Sequence, residues 1–283
     1  MLRLLVLPFA IALIASATEE VRSESNDFQA TMLAESAASS STLRHKEYRG
    51  FEVWLDCDRG GLVLARYELD RDTRNESRSG NFRRDRSVPN RCQPSSGKSY
   101  VTDTVDPATG PWDRGHVVPA NHMDFSKRAM SDTFYVTNIL PQQKTFNRKG
   151  GAWRHTEDFA ECYRDVTRLT IWAGIIWGDD RRNDFFTETH SIETPDYWWK
   201  VIRRHDTGKY IAWIFPNDKS ATAKKTSDFR VPLSEIIDRA DAVPISFDGL
   251  ENTAAANRKP RMWPFKYKST QTLVCGGTTT LLE

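Results

Sequence analysis

Residues 46 to 245 predict a mixed α+β domain with a mainly antiparallel sheet core and a few helices. Runs rich in branched and aromatic residues recur at 51 to 55, 62 to 69, 134 to 140, 169 to 177, 197 to 203 and 210 to 215, and several are apolar throughout, as central strands are. Helical spacing is confined to two segments. Trp153, Phe159, Cys162, Tyr163 and Val166 recur near the helical period across 153 to 166, and Pro232 opens a second helix over 232 to 239. A chain of 283 residues, 39% apolar and 11% aromatic, can bury one core of this kind but is short for two large domains.

Residues 1 to 17 start with Arg3, continue through an apolar run from Leu4 to Ala15 and finish on Ala15-Ser16-Ala17, the pattern of a secretory signal peptide. The run is too short to span a bilayer, for which about 20 residues are needed, so no stable membrane association is expected. A mitochondrial presequence would carry several arginines on an amphipathic pattern, and this segment has one. Secretion is the expectation. Residues 18 to 45 are rich in Ser, Ala, Glu and Thr, with too few large apolar groups to offset their own ordering entropy, and predict a low-complexity, disordered leader or pro-segment.

Between Arg71 and Arg91 lies a polar loop with seven arginines against three acids, a local excess of four charges in a chain whose formal net charge is +2. Such density suits an anionic partner. Residues 246 to 283 form a basic C-terminal tail. Cys57, Cys92, Cys162 and Cys275 allow two disulfides in any of three pairings, and none stands at metal-ligand spacing. Asn75-Glu76-Ser77 is a glycosylation sequon in a polar stretch.

The chemistry concentrates at Asp113-Arg114-Gly115-His116. An imidazole accepts a proton near neutral pH, which suits a base that activates water. A guanidinium matches phosphate oxygens, and glycine permits a tight turn that lets neighbouring side chains converge. The four residues are not isolated. Asn81-Phe82-Arg83-Arg84-Asp85 lies upstream, Thr137-Asn138-Ile139-Leu140-Pro141-Gln142 and Asn147 lie downstream, and Trp153 and Glu157 follow on the helix.

With these motifs, joined by Ile171-Trp172-Ala173-Gly174, Tyr197-Trp198-Trp199-Lys200 and Phe215-Pro216-Asn217-Asp218, the chain resembles the DNA/RNA non-specific endonucleases over roughly 50 to 240. That resemblance implies a ββα-metal, or His-Me finger, active site that hydrolyses phosphodiester bonds of DNA and RNA. His116 matches the general base, and Asn147 the one protein ligand of a divalent ion, Mg2+ or in exchange Mn2+ or another. Glu157 matches the residue that holds a metal-bound water, with Asp158 as a substitute. Arg83 matches an arginine on the scissile phosphate, Arg114 and Asp113 flank the base as phosphate contact and loop support, and Asn138 is a hydrogen-bonding member of the site. Arg84 joins Arg83 and Arg114 as a substrate contact. Contacts to phosphate carry no base information, so DNA and RNA are both expected partners.

One spacing departs from the family. Trp153 and Glu157 stand six and ten residues after Asn147, two more than the family's four and eight, with the extra residues in Lys149-Gly150-Gly151. A helix continuous from Asn147 would rotate Glu157 by ~200° out of the site, whereas a bulge, or a helix that starts after the glycines, would keep it. Two other readings stand beside the nuclease: a polyanion-binding protein of the same fold with impaired catalysis, and a phosphodiesterase acting on small nucleotides. His122 and His155 match no family role and read as structural, and the tryptophans read more as core than as base-stacking platforms.

Overall fold

The computed structural model describes residues 42–103, 105–106, 108–240, 243, 245–269 and 272–281. The expected signal and most of the leader lie outside them. The strands are β1 (Leu43–Tyr48), β2 (Phe51–Asp56), β3 (Gly61–Leu69), β4 (Trp112–His116), β5 (Ile139–Gln143), β6 (Leu169–Ile176), β7 (Tyr197–Arg204), β8 (Tyr210–Pro216), β9 (Phe265–Ser269), β10 (Thr272–Cys275) and β11 (Thr278–Leu281). The helices are α1 (Lys127–Asp132), α2 (Lys144–Asn147), α3 (Ala152–Arg164), α4 (Thr187–His190) and α5 (Leu233–Arg239). Among the described residues no helix is long and apolar enough to cross a membrane.

Six strands form the main sheet in the order β1-β2-β3-β6-β7-β8, every neighbouring pair antiparallel. Side chains alternate across a strand, and β7 shows what each face meets. Trp198 and Ile202 join the core under α3 with Trp153 and Phe159, while Trp199 and Val201 join the opposite core with Leu233 and Ile236 of α5. Both faces are covered, so the central strands carry apolar residues without polar alternation. Trp172, Trp177, Trp198, Trp199 and Trp213 are all buried, and the core accounts for them.

Two sequence expectations change. The strand expected at 134 to 140 is a 3-10 turn, Val136–Asn138, followed by β5, which pairs with β4 in a separate two-stranded sheet. The apolar Phe134 and Val136 are buried as core packing and not as a sheet face. Residues 43 to 45, expected to belong to the leader, open β1 instead. Its Arg44, His45, Lys46 and Glu47 lower the apparent strand propensity, yet charges are what a sheet edge carries to discourage pairing with another chain.

The cysteines pair as Cys57–Cys92 and Cys162–Cys275. The second bond ties the three-stranded sheet β11-β10-β9 to α3. The basic C-terminal segment is thereby part of the fold.

Candidate active site

Strands β4 and β5 pair antiparallel, with Asp113 opposite Gln142, Gly115 opposite Leu140 and His116 opposite Ile139. Helix α2 follows β5 without a gap, and α3 follows after a four-residue break, so two strands and a helix make one finger. Gly115 is not at a turn, as the sequence suggested. It lies inside β4, where a Cβ would stand 2.4 Å from both Cβ and Oε1 of Gln142, so close approach of the two strands excludes a side chain.

His116 is 7% exposed, edge-on to Phe82 at 5.6 Å and Phe134 at 4.9 Å between ring centroids. Its backbone carbonyl accepts from Trp153 Nε1 at 3.2 Å, which fastens α3 to the end of β4. Burial, followed by the charge of Arg78, pushes the imidazole pKa down to about 3, against a backbone hydrogen bond at Arg114 that acts the other way. The ring is neutral near pH 7, and its Nε2 is buried with no hydrogen-bond partner among the described residues. An unpartnered buried nitrogen costs roughly 1–3 kcal/mol, which makes it a functional candidate.

Asp113 organises the next element. Asn147 Nδ2 donates to Asp113 Oδ2 at 2.9 Å, and Arg148 donates to both carboxylate oxygens at 2.7 and 2.6 Å. With its nitrogen committed to Asp113, the Asn147 amide has its oxygen left to offer a cation.

The break resolves the two-residue insertion. Helix α2 ends at Asn147, Arg148 is extended, Gly150 takes a φ of +94°, and α3 starts afresh at Ala152 with Gly151 as its N-cap. A Cβ on Gly151 would fall 2.1 Å from the Phe146 carbonyl oxygen and 2.2 Å from that of Thr145. The segment after β8 holds the break in place: Ala152 N donates to Ala221 O at 2.9 Å and Ala223 N to Gly150 O at 2.8 Å. The rotation that a continuous helix would impose is absent, and Glu157 stands one turn beyond Trp153.

Glu157 is buried, and burial raises its pKa against the opposing charges of Arg154, Lys200 and Arg78. Arg154 Nη1 reaches its Oε2 at 3.4 Å, and Arg154 Nη2 reaches Asp158 at 2.7 Å. Asp158 is itself bonded by Tyr267 at 2.8 Å. Lys200, fully buried on β7, donates to Thr156 Oγ1 at 2.9 Å and lies 3.7 Å from the Trp153 ring centroid. Burial pushes this ammonium down to about 8 against the pull of Glu157.

The remaining sequence candidates divide. Arg114 stacks on Phe82 at 3.6 Å, donates to Gly97 O at 2.9 Å, and its charge is felt by His116. Arg83 stacks on Tyr135 at 3.9 Å, and its fork is engaged by Asn81 O, Ser131 O and Ser131 Oγ at 3.0 to 3.1 Å. Arg84 is held by Asn90. The arginine whose field reaches both His116 and Glu157 is Arg78, packed 5.1 Å from the Phe134 ring centroid. Sequence reading passes over Arg78 and over Lys200. Seven loop arginines have no pattern that separates them, but a lysine inside an apolar strand was a visible signal.

Asn138 is fully buried and makes three bonds: Oδ1 accepts from Val118 N at 2.9 Å, and Nδ2 donates to Val118 O at 3.0 Å and Thr133 O at 2.9 Å. These bonds fix the chain just after His116. Asn138→Ala strands three backbone groups and is expected to lower folding stability by about 3 kcal/mol, at roughly 1 kcal/mol per bond. A melting temperature within 2 °C of the unsubstituted protein would remove that role. His122 donates to or accepts from Tyr67 OH at 2.9 Å in the core, and His155 packs on Phe265, so both have structural explanations.

A family model described as DNA/RNA non-specific endonuclease matches residues 29–253. The chain belongs to this family. Among relatives of the endonuclease family, "Nuclease 1, mitochondrial" of Schizosaccharomyces pombe is 29% identical over 200 residues, 64% of this chain and 58% of that protein. "Nuclease EXOG, mitochondrial" of Mus musculus is 31% identical over 143 residues, 44% of this chain and 37% of that protein. This chain therefore spans less than two thirds of either relative's length. In fold, the crystal structure of the EndoG/EndoGI complex matches with a TM-score of 0.56 at 18% identity, covering 69% of this chain and 83% of that one.

The expectation of secretion is corrected by these relatives, which are named as mitochondrial nucleases. An Arg-led apolar run followed by small residues is a composition, whereas the address is read by receptors from features that composition does not carry.

The finger's donor set fits the divalent ion the family implies. Asn147 and Glu157 offer oxygen donors only, the kind Mg2+ prefers. Among the described residues, the group of three His, Cys, Asp or Glu side chains close enough to share an ion is His45, Glu47 and Glu52, at the exposed edge of the main sheet. One direct oxygen from Asn147, with Glu157 on a bound water, suits an ion that keeps most of its waters.

Proposed function

We propose that this chain is a metal-dependent, sugar-non-specific endonuclease that hydrolyses phosphodiester bonds of DNA and RNA. The observation that carries the reading is the buried, neutral His116, whose unpartnered Nε2 ends the strand that also orients Asn147 through Asp113. Nε2 takes a proton from water as the water oxygen bonds to phosphorus, and the departing P–O bond breaks in line with it. Arg78 and Arg114 meet the negative charge on the phosphate. Arg83, committed to Ser131 and Asn81, holds α1 beneath the loop. Asn147, with Glu157 on the hydration shell, holds Mg2+ or a similar ion, which when bound neutralises developing charge and assists the leaving oxygen. Trp153 keeps the base and the Glu157 turn in register.

The helix restart at Ala152 weakens one support of the binding-only reading, the two-residue insertion before Trp153. The setting proposed for the activity is that of the named relatives, the mitochondrion.

The test is digestion of plasmid DNA, RNA and a dinucleotide by the purified protein with Mg2+ or with chelator. Cleavage of both polymers, abolished by chelator, is the expected result. Cleavage of the dinucleotide alone overturns the polymer reading, and binding without cleavage restores the polyanion-binding protein.

A further inference from the structure

The segment from Asn252 to Ser269 holds five cations, Arg258, Lys259, Arg261, Lys266 and Lys268, and no acid, in a chain whose charges otherwise nearly cancel. All of it after Thr253 lies beyond the residues matched by the family model. It is built onto the catalytic helix. The Cys162–Cys275 bond fixes β10 to α3, Tyr163 OH donates to Pro264 O at 2.7 Å, and Phe265 packs on Phe159 at 5.3 Å and on His155 at 5.1 Å. Tyr267 OH bonds Asp158, the neighbour of Glu157, at 2.8 Å.

Strand alternation then decides where the lysines go. Phe265 and Tyr267 occupy the face of β9 turned to α3, so Lys266 between them occupies the other, and Lys268 follows at the bulge opposite Thr272 and Leu273. Both lysines are exposed, and β9 is the edge strand of its sheet. Asp158 follows Trp153, which touches the His116 carbonyl, by five residues, so the anchor of β9 stands about 7.5 Å further along the helix axis.

We propose that β9 is a strap that carries the phosphate track beyond the active site, with Lys266 and Lys268 gripping the backbone of a nucleic acid strand away from the scissile bond. The strap rests on the nuclease reading. It explains why a surface with no acidic residues is disulfide-anchored to the helix that bears Glu157. It also assigns the grip to charge alone, which favours long substrates of either sugar over short ones.

The experiment compares the full chain with its Lys266→Gln/Lys268→Gln variant. Binding of a 30-nucleotide DNA is measured in chelator across a salt series, and turnover of that DNA and of a tetranucleotide is measured in Mg2+. The variant should bind the long DNA on the order of tenfold more weakly at 0.1 M salt, with the slope of log K against log salt shallower by about two. Its tetranucleotide turnover and melting temperature should be unchanged. An unaltered salt slope overturns the strap, as does equal loss on the tetranucleotide, and as does loss of anionic-vesicle binding with DNA binding intact. No DNA binding by the unsubstituted chain overturns the nuclease reading itself.

Discussion

His116→Ala is expected to lower kcat/KM on plasmid DNA by about 10²–10⁴-fold, the range that a positioned general base supplies. The loss should not be one of folding. The ring lies between Phe82 and Phe134, and its Nε2 is buried without a partner, so the folded state bears a cost for keeping it. His116→Phe, which fills the same space and removes the orphaned nitrogen together with the ring's bond to the Arg114 backbone, should therefore melt close to the temperature of the unsubstituted protein while being as inactive as the alanine variant. Active residues that impair stability behave this way. A Phe variant that is both inactive and several degrees less stable would show that the imidazole is structural.

The same residue sets a pH prediction. With the folded pKa held at about 3, His116 stays unprotonated as pH falls through 6.5, and the acid limb of kcat/KM that it governs lies well below the ordinary imidazole value. Stability moves earlier. Burial also holds the His122 imidazole far below its usual range, so the unfolded chain binds protons that the folded one refuses, and stability declines as pH drops below about 6.5. Initial rates read alongside circular dichroism separate the two. A limb centred near 6.5 in protein that is still folded would mean that the base is solvated and ordinary.

How much of this was legible in the sequence follows from what each signal depends on. Strands β2, β3, β6, β7 and β8 and helix α3 are covered on one face or both, so burial writes their pattern into the residues. Strands β4 and β5 have no such pattern. Asp113-Arg114-Gly115 reads as a turn, and Pro141, Gln142 and Gln143 are all buried although two of the three are polar. Their pairing comes from long-range contact, and the close approach of Gly115 to Gln142 is invisible without the partner strand. His116, Asn147 and Glu157 stand out as candidates because their motifs stand in order. The loop arginines do not, since their roles depend on what each guanidinium meets: Ser131 for Arg83, Phe134 for Arg78. Lys200 reads as an interruption of an apolar strand until the helix above it supplies Thr156, the Trp153 ring and the Glu157 charge.

Gly151→Ala should be strongly damaging although it alters no site side chain. Its Cβ would collide with two backbone carbonyls, at 2.1 and 2.2 Å, and backbone cannot swing aside as a side-chain tip can. The start of α3 must lift, taking with it the Trp153 bond to the His116 carbonyl and the turn that bears Glu157. A displacement near 1 Å at a catalytic constellation costs about 10²-fold in rate, and relief of the clash should lower stability by about 3 kcal/mol. Gly150→Ala is the control. Its φ of +94° makes alanine strained, by about 1–3 kcal/mol, but nothing stands within 4 Å of the added methyl, so α3 has no reason to move. The Gly150 variant should melt lower and keep its activity within a few-fold, whereas the Gly151 variant should lose both. Equal effects on rate would mean that the glycines merely loosen the connection, and that the restarted helix is not what holds Glu157 in the finger.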